Sequence, residues 1–188
     1  MPQVSTLSNP AELFCESIPD VYLFVCTGNT CRSPMAAALF NAFWSRRGVA
    51  SSAGTAASLR SISENARLAL EARGITPTPL NDYTAHISRQ VTEGMVRSAT
   101  RVYGISSRHR DMLISAFPEY AEKIFALPID ITDPYGGDLN TYKACLKDIE
   151  AALKAEFGEL PGANAPESDV SSDGKPHGHT PSDNEADQ

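Results

Sequence analysis

Val25-Cys26-Thr27-Gly28-Asn29-Thr30-Cys31-Arg32-Ser33-Pro34 follows the apolar, strand-like run from Tyr22 to Val25 and leads into a strongly helical segment. A cysteine and an arginine separated by five residues can close into a ring whose backbone N–H groups all point at one tetrahedral anion. A helix starting directly after the ring adds its positive end. The stretch therefore has the layout of an anion cradle, with Cys26 beneath the anion as a thiolate and the amides of Thr27, Gly28, Asn29, Thr30 and Cys31 around it. Gly28 and Asn29 are residue types that tolerate the left-handed backbone of a tight loop. Pro34 suits a first helical turn, where its missing N–H is no loss.

The thiolate is the nucleophilic form of cysteine. Inward-pointing amides, a helix N-terminus and a guanidinium all favour it, and Cys26 has the three within reach. Arg32 offers a planar fork of donors that matches two phosphate oxygens and stays charged throughout. Ser33 lies where its hydroxyl can donate to the sulfur. Displacing an alcohol or amine from phosphorus also needs a proton donor for the leaving group, and later a base for the attacking water. Asp133 in Asp133-Pro134-Tyr135 is the candidate, with Pro134 fixing the chain direction and Tyr135 forming one wall of the cleft. An Asp-Pro pair alone is most often just a turn, and Asp130 is close enough to compete. The Cys-Arg spacing alone also occurs by chance; the strand before it, Gly-Asn within it and Ser-Pro after it give it weight.

These motifs resemble the low-molecular-weight protein tyrosine phosphatases over most of the region from Val21 to Phe157. That family has a cysteine, five residues, an arginine and a serine near the N-terminus, and an Asp-Pro-aromatic segment roughly a hundred residues later. Ser52-Ala53-Gly54-Thr55 and His86-Ile87-Ser88-Arg89-Gln90 also look matched. The resemblance implies an α/β three-layer sandwich with a central four-stranded parallel sheet. It implies that Ser52 and His86 support the loop through Asn29, in a network with Ser33. It further implies a phosphocysteine mechanism in which Cys26 attacks and Asp133 protonates the leaving group, with no metal or other cofactor, acting on phosphorylated proteins.

The rim of the cradle bears on the substrate. Tyrosine-directed members carry a branched aliphatic residue at the place of Thr30 and two aromatics after Asp-Pro. Here Thr30 is polar, and Tyr135 is followed by Gly136-Gly137. This pattern resembles the family's protein arginine phosphatases, so phosphoarginine is the expected substrate and phosphotyrosine the alternative. Thiol-dependent arsenate reductases resemble this cradle too, but they need further relay cysteines, and downstream only Cys145 is available. A catalytically dead phosphate-binding module would lack the nucleophile or the acid, and both are present.

The four cysteines, at 15, 26, 31 and 145, fit neither a disulfide framework nor a zinc spacing. Cys26 and Cys31 are expected to face each other across the loop, where a reversible disulfide would shield the nucleophile from irreversible oxidation. Cys145 falls with Tyr142, Leu146, Ile149, Ala152 and Leu153 on one helical stripe, as a core residue does. His86 reads either as loop support or as a satisfied loop histidine, and His109 as a surface or supporting residue. His177-Gly178-His179 reads as solvated tail.

With 188 residues the chain has room for one core and some excess. The excess starts at Gly158: no aromatic follows, and seven acids (Glu159, Glu167, Asp169, Asp173, Asp183, Glu185, Asp187) face the single base Lys175. That composition cannot offset chain entropy, so residues 158–188 are expected to form a disordered acidic tail. Residues 1–20 read as an N-terminal extension and 21–157 as the phosphatase domain. No membrane span or secretory signal is visible, which points to a cytoplasmic location. The net charge of −7 and the lack of a basic, aromatic-studded patch argue against nucleic acid as a partner. Oligomeric state is not legible.

Strands are expected near Val21–Val25, Val49–Ser52, Arg101–Ile105 and Lys123–Leu127. Helices are expected over Pro34–Arg47, from a Ser61/Glu64 capping box to Arg73, and over Val91–Ala99, Ser107–Phe117 and Leu139–Phe157. Residues 75–87, rich in Pro and Thr, read as loop.

Overall fold

The computed structural model describes residues 19–160. The N-terminal extension and the acidic tail lie outside them, apart from Pro19, Asp20 and Gly158 to Leu160. Cys15, His177 and His179 lie outside as well.

Strand β1 (Val21–Cys26) has apolar side chains on both of its faces, and this places it in the middle of a sheet. Tyr22, Phe24 and Cys26 join one hydrophobic cluster; Leu23 and Val25 join the other. It pairs in parallel with β2 (Val49–Gly54) on one side and with β3 (Arg101–Gly104) on the other, and β3 pairs with β4 (Ile124–Ala126). The order is β2-β1-β3-β4. The chain leaves β1 toward β2 and later returns to β3 on the opposite side, so the carboxyl end of β1 is the switch point where such sheets bind ligands.

Helices α1 (Arg32–Phe43), α2 (Glu64–Ala72) and α5 (Leu139–Phe157) cover the Tyr22/Phe24 face. Helices α3 (Glu93–Ser98) and α4 (Ser107–Ala116) cover the Leu23/Val25 face. The expected three-layer sandwich is the one found. In α1 every residue from Arg32 to Phe40 is buried, which is why its apolar residues run all round rather than along a stripe. Tyr22, Phe24, Phe40, Tyr103 and Phe157 stack between α1, α5 and the sheet with ring centroids 4.7–6.0 Å apart. Each such pair contributes about 0.5–1.5 kcal/mol beyond the area it buries. Helix α5 has the expected bounds. Asp138 caps it by accepting from the Thr141 amide at 2.9 Å, and its stripe from Tyr142 to Phe157 is buried, Cys145 included.

Three expectations are corrected. Helix α1 stops at Phe43 rather than Arg47: Trp44 leaves helical geometry, is buried at 2% exposure and donates its indole N–H to the Gly158 carbonyl. Ser45–Arg47 then form only a 3-10 turn. The Ser61/Glu64 capping box does not form. Ser61 pairs with Ile87 in an isolated bridge, while Ser63, at the N-cap of α2, gives its amide to the Thr30 carbonyl. Strand β2 runs on to Gly54, because its end is held to the cradle as described below. Gly74 does close α2, at φ +82°, with the Ile75 amide bonded to Leu70 and its own amide to Glu71, a Schellman arrangement. The 75–87 loop holds one 3-10 turn, Tyr83–Ala85, capped by Asp82. No described helix is long and apolar enough to cross a membrane.

Candidate active site

Beyond β1 the chain turns through Thr27 to Cys31 and enters α1 at Arg32, so the cradle sits at the switch point. Its sharpest bend falls on Asn29, at φ +55°; Gly28 does not use the left-handed region, contrary to the expectation for both residues. Asn29 is wholly buried and all its groups are spoken for. Its amide N–H reaches Cys26 Sγ at 3.3 Å, and its side-chain nitrogen donates to Ser33 Oγ and Ser52 Oγ at 2.9 Å each. Its Oδ1 accepts from the Arg89 amide at 2.9 Å, and its carbonyl meets His86 Nε2 at 2.8 Å. The expected support network of Asn29, Ser33, Ser52 and His86 is therefore assembled.

Because Ser33 Oγ accepts from Asn29, its own proton is free to point at Cys26 Sγ, 3.0 Å away, or at the Ala53 carbonyl at 3.2 Å. Cys26 is 2% exposed, and its sulfur lies within hydrogen-bond reach of the Ser33 hydroxyl and the Asn29 amide. Burial and the neighbouring Arg89 lower the pKa of His86 against the opposing Asn29 carbonyl, so its imidazole is neutral and Nε2–H donates.

Arg32 is buried, and its guanidinium donates to Asp133 Oδ2 at 2.5 Å and to the Ile131 carbonyl at 3.3 Å. Its Nε is buried and has no hydrogen-bond partner among the described residues. A buried donor of that kind needs an acceptor, and an oxyanion held by the ring supplies one. Asp133 is half exposed and accepts from the Tyr135 amide through Oδ1. Asp130 is not a competitor. It accepts from the amide and hydroxyl of Ser107 at the start of α4, and these bonds hold its carboxyl below the usual range.

Cys26, Thr27, Gly28, Thr30, Cys31, Arg32, Asp133 and Tyr135 line one cleft of about 340 Å³, joined by Ser58 and Arg60. No motif pointed to those last two, which come from the segment between β2 and α2. Cys31 Sγ contacts the Tyr142 hydroxyl at 3.2 Å and Thr30 Oγ1 at 3.5 Å, so a disulfide to Cys26 would give up both contacts. Burial pushes the Cys145 thiol up to about 12, as suits a core cysteine. His109 is 5% exposed, and its ring nitrogens meet Thr27 Oγ1 and Ser106 Oγ, a link the linear motif did not reveal.

A profile of the low molecular weight phosphotyrosine protein phosphatase family matches residues 21–163, with the strand, the cradle and the Asp133 segment all inside it. The chain belongs to that family. The protein-arginine-phosphatase of Geobacillus stearothermophilus is 38% identical over 72% of this chain and 93% of that protein. The low molecular weight protein tyrosine phosphatase from T. tengcongensis has the same fold, with a TM-score of 0.67 at 34% identity, covering 75% of this chain and 99% of that one. An arginine phosphatase in which the active-site cysteine is replaced by a serine, itself phosphorylated, superposes with a TM-score of 0.63 at 35% identity, covering 71% and 91%.

Proposed function

We propose that this low-molecular-weight phosphatase hydrolyses phosphoarginine in proteins through a phosphocysteine intermediate. Cys26 Sγ attacks phosphorus, the P–N bond breaks, and its electron pair leaves with the guanidino nitrogen as Asp133 supplies a proton. Water then attacks the phosphocysteine, giving its proton to Asp133, and the S–P bond breaks to release phosphate and the thiolate. Arg32 and the loop amides hold the three phosphoryl oxygens as charge spreads over them. The observation that carries the reading is the buried Arg32 Nε, a donor without a partner among the described residues, in the cleft that Cys26 lines and whose rim at Thr30 is polar.

The substrate assignment rests on the leaving group. A guanidinium carries only N–H donors, and stranding each against an apolar wall costs ~1–3 kcal/mol. Thr30 Oγ1 and the unprotonated oxygen of the Asp133 carboxyl group offer it acceptors. The similarity to arginine phosphatases points the same way. Phosphotyrosine is the second reading, favoured by Tyr135, which is 74% exposed at the mouth and able to lie against a phenyl ring. The working unit is residues 21–157, and we place the enzyme in the cytoplasm, acting on phosphorylated proteins rather than nucleic acid.

Turnover of phosphoarginine and phosphotyrosine peptides by the wild type and by Thr30→Ile tests this. The wild type is expected to favour phosphoarginine, and the variant to shift the ratio toward tyrosine by roughly tenfold, the loss of one acceptor. A wild-type preference for phosphotyrosine overturns the assignment. An unchanged ratio in the variant removes Thr30 from it.

A further inference from the structure

His109 stands at the third position of α4, buried, with no place in the reaction as written. Its Nδ1 lies 2.7 Å from Ser106 Oγ and its Nε2 lies 3.1 Å from Thr27 Oγ1, and Thr27 is the residue directly after the nucleophile, lining the cleft. A neutral imidazole has one donor and one acceptor nitrogen, so the two contacts are not independent. The direction of one fixes the direction of the other.

We propose that His109, anchored by Ser106, is a positioning residue that makes the Thr27 hydroxyl an acceptor wall of the cleft, selecting a leaving group rich in N–H donors. Nδ1–H donates to Ser106 Oγ, and the half-buried Ser106 hydroxyl keeps its own proton, turned away from the ring. Nε2 then accepts the Thr27 hydroxyl proton. With that proton turned away, the remaining lone pairs of Thr27 Oγ1 face the substrate. The opposite tautomer would aim the Thr27 proton at a guanidinium that has no lone pair to receive it, so the tautomer follows from the phosphoarginine reading, on which this inference rests.

A charged imidazole would donate from both nitrogens and reverse the Thr27 hydroxyl. The surroundings keep the ring neutral: burial, Arg32 of the cradle and Arg108 of α4 lower its pKa, outweighing Asp133 and Asp130 from the loop after β4. Gly104, at the end of β3, lets α4 approach this closely, since a Cβ there would lie 2.5 Å from the Arg110 amide nitrogen and 3.0 Å from His109 Cβ. The carboxyl end of the sheet thus sets how near His109 comes to the cradle.

The test is kcat/KM for phosphoarginine and phosphotyrosine peptides with the wild type, Thr27→Val, His109→Ala, the double variant and His109→Gln. His109→Ala and Thr27→Val are each expected to lower the phosphoarginine to phosphotyrosine ratio by roughly tenfold, the size of one hydrogen bond to a charged group. The double variant is expected to lose no more than either single one, and His109→Gln, whose amide oxygen reaches where Nε2 lies, to recover much of the ratio. Equal losses on both substrates, or additive losses in the double variant, overturn the proposal and leave His109 as loop support. If His109→Ala does not fold, Thr27→Val and His109→Gln decide by the same ratio. A wild type that prefers phosphotyrosine overturns the phosphoarginine reading and this inference together. A wild type that prefers phosphoarginine, with the ratio unchanged in the variants, overturns this inference alone.

Discussion

Arg32 and Asp133 are held together across 101 positions of chain by a bond of 2.5 Å, yet their burial is unequal: Arg32 has 8% of its side chain exposed and Asp133 has 51%. The exposed partner is screened by water, so the pair adds at most about 1 kcal/mol to stability. Its value lies in placing a carboxyl group beside the guanidinium in the cleft, where the proposed reaction needs both. Asp133→Asn keeps the shape and the hydrogen bond but removes the proton to be given. It is expected to lower kcat on phosphopeptides by about 10²–10⁴ while changing unfolding free energy by less than about 1 kcal/mol, read by steady-state kinetics and denaturant melts. The sequence favoured Asp133 for its Asp-Pro-Tyr context while leaving Asp130 close enough to compete; in the fold Asp133 lines the cleft and Asp130 is held by Ser107.

The junction of β2 with the cradle is the element on which the loop's shape depends most. The Gly54 amide and carbonyl bond to Arg89 and Val91, and the next two amides bond to the carbonyls of Cys26 and Thr27. A Cβ at Gly54 would lie 2.5 Å from the Thr27 carbonyl oxygen and 3.0 Å from Asn29 Cβ. Backbone cannot yield as a flexible side chain does, so Gly54→Ala is expected to cost about 1–3 kcal/mol of stability and to lower kcat/KM. Chemical denaturation and kinetics on the same preparation check it; a neutral effect on both would show that the loop is not held this tightly. Helix α5 was legible because its apolar stripe repeats at helical spacing along its length; the Asp138 cap and Gly158 at its end came from the structure. The start of α2 was not. Ser63 has no capping side-chain bond, and its amide is bound by Thr30, 33 positions earlier, a contact that leaves no local pattern.

Across the whole molecule, the fold keeps two histidines uncharged, His86 against the Asn29 carbonyl and His109 against Thr27. Burial is the leading cause at both His86 and His109, and both have folded pKa values below the ordinary 6.5. Between those lowered values and 6.5 the unfolded chain binds more protons than the folded one, so stability is full above about pH 6.5 and falls as pH drops below it. Melting temperature is expected to fall between pH 7.5 and 5.5, and the slope to flatten in the His86→Gln, His109→Gln double variant. A slope unchanged by those replacements would assign the loss to other groups. As for what could be read in advance, the run from Val25 to Pro34, the two-faced β1 and the stripe of α5 are local, and local sterics, periodicity and caps are written in consecutive residues. Residues 21–157 therefore disclosed the layered α/β fold and the run that becomes the cradle, with Cys26, Arg32 and Asp133 as the candidates that line its cleft. Tertiary structure alone brought Ser58 and Arg60 to the cleft, set Tyr142 against Cys31, and carried His109 across 82 positions to Thr27. Such contacts join side chains whose separation along the chain is fixed by the path of the sheet, and no spacing rule in a linear sequence records that path.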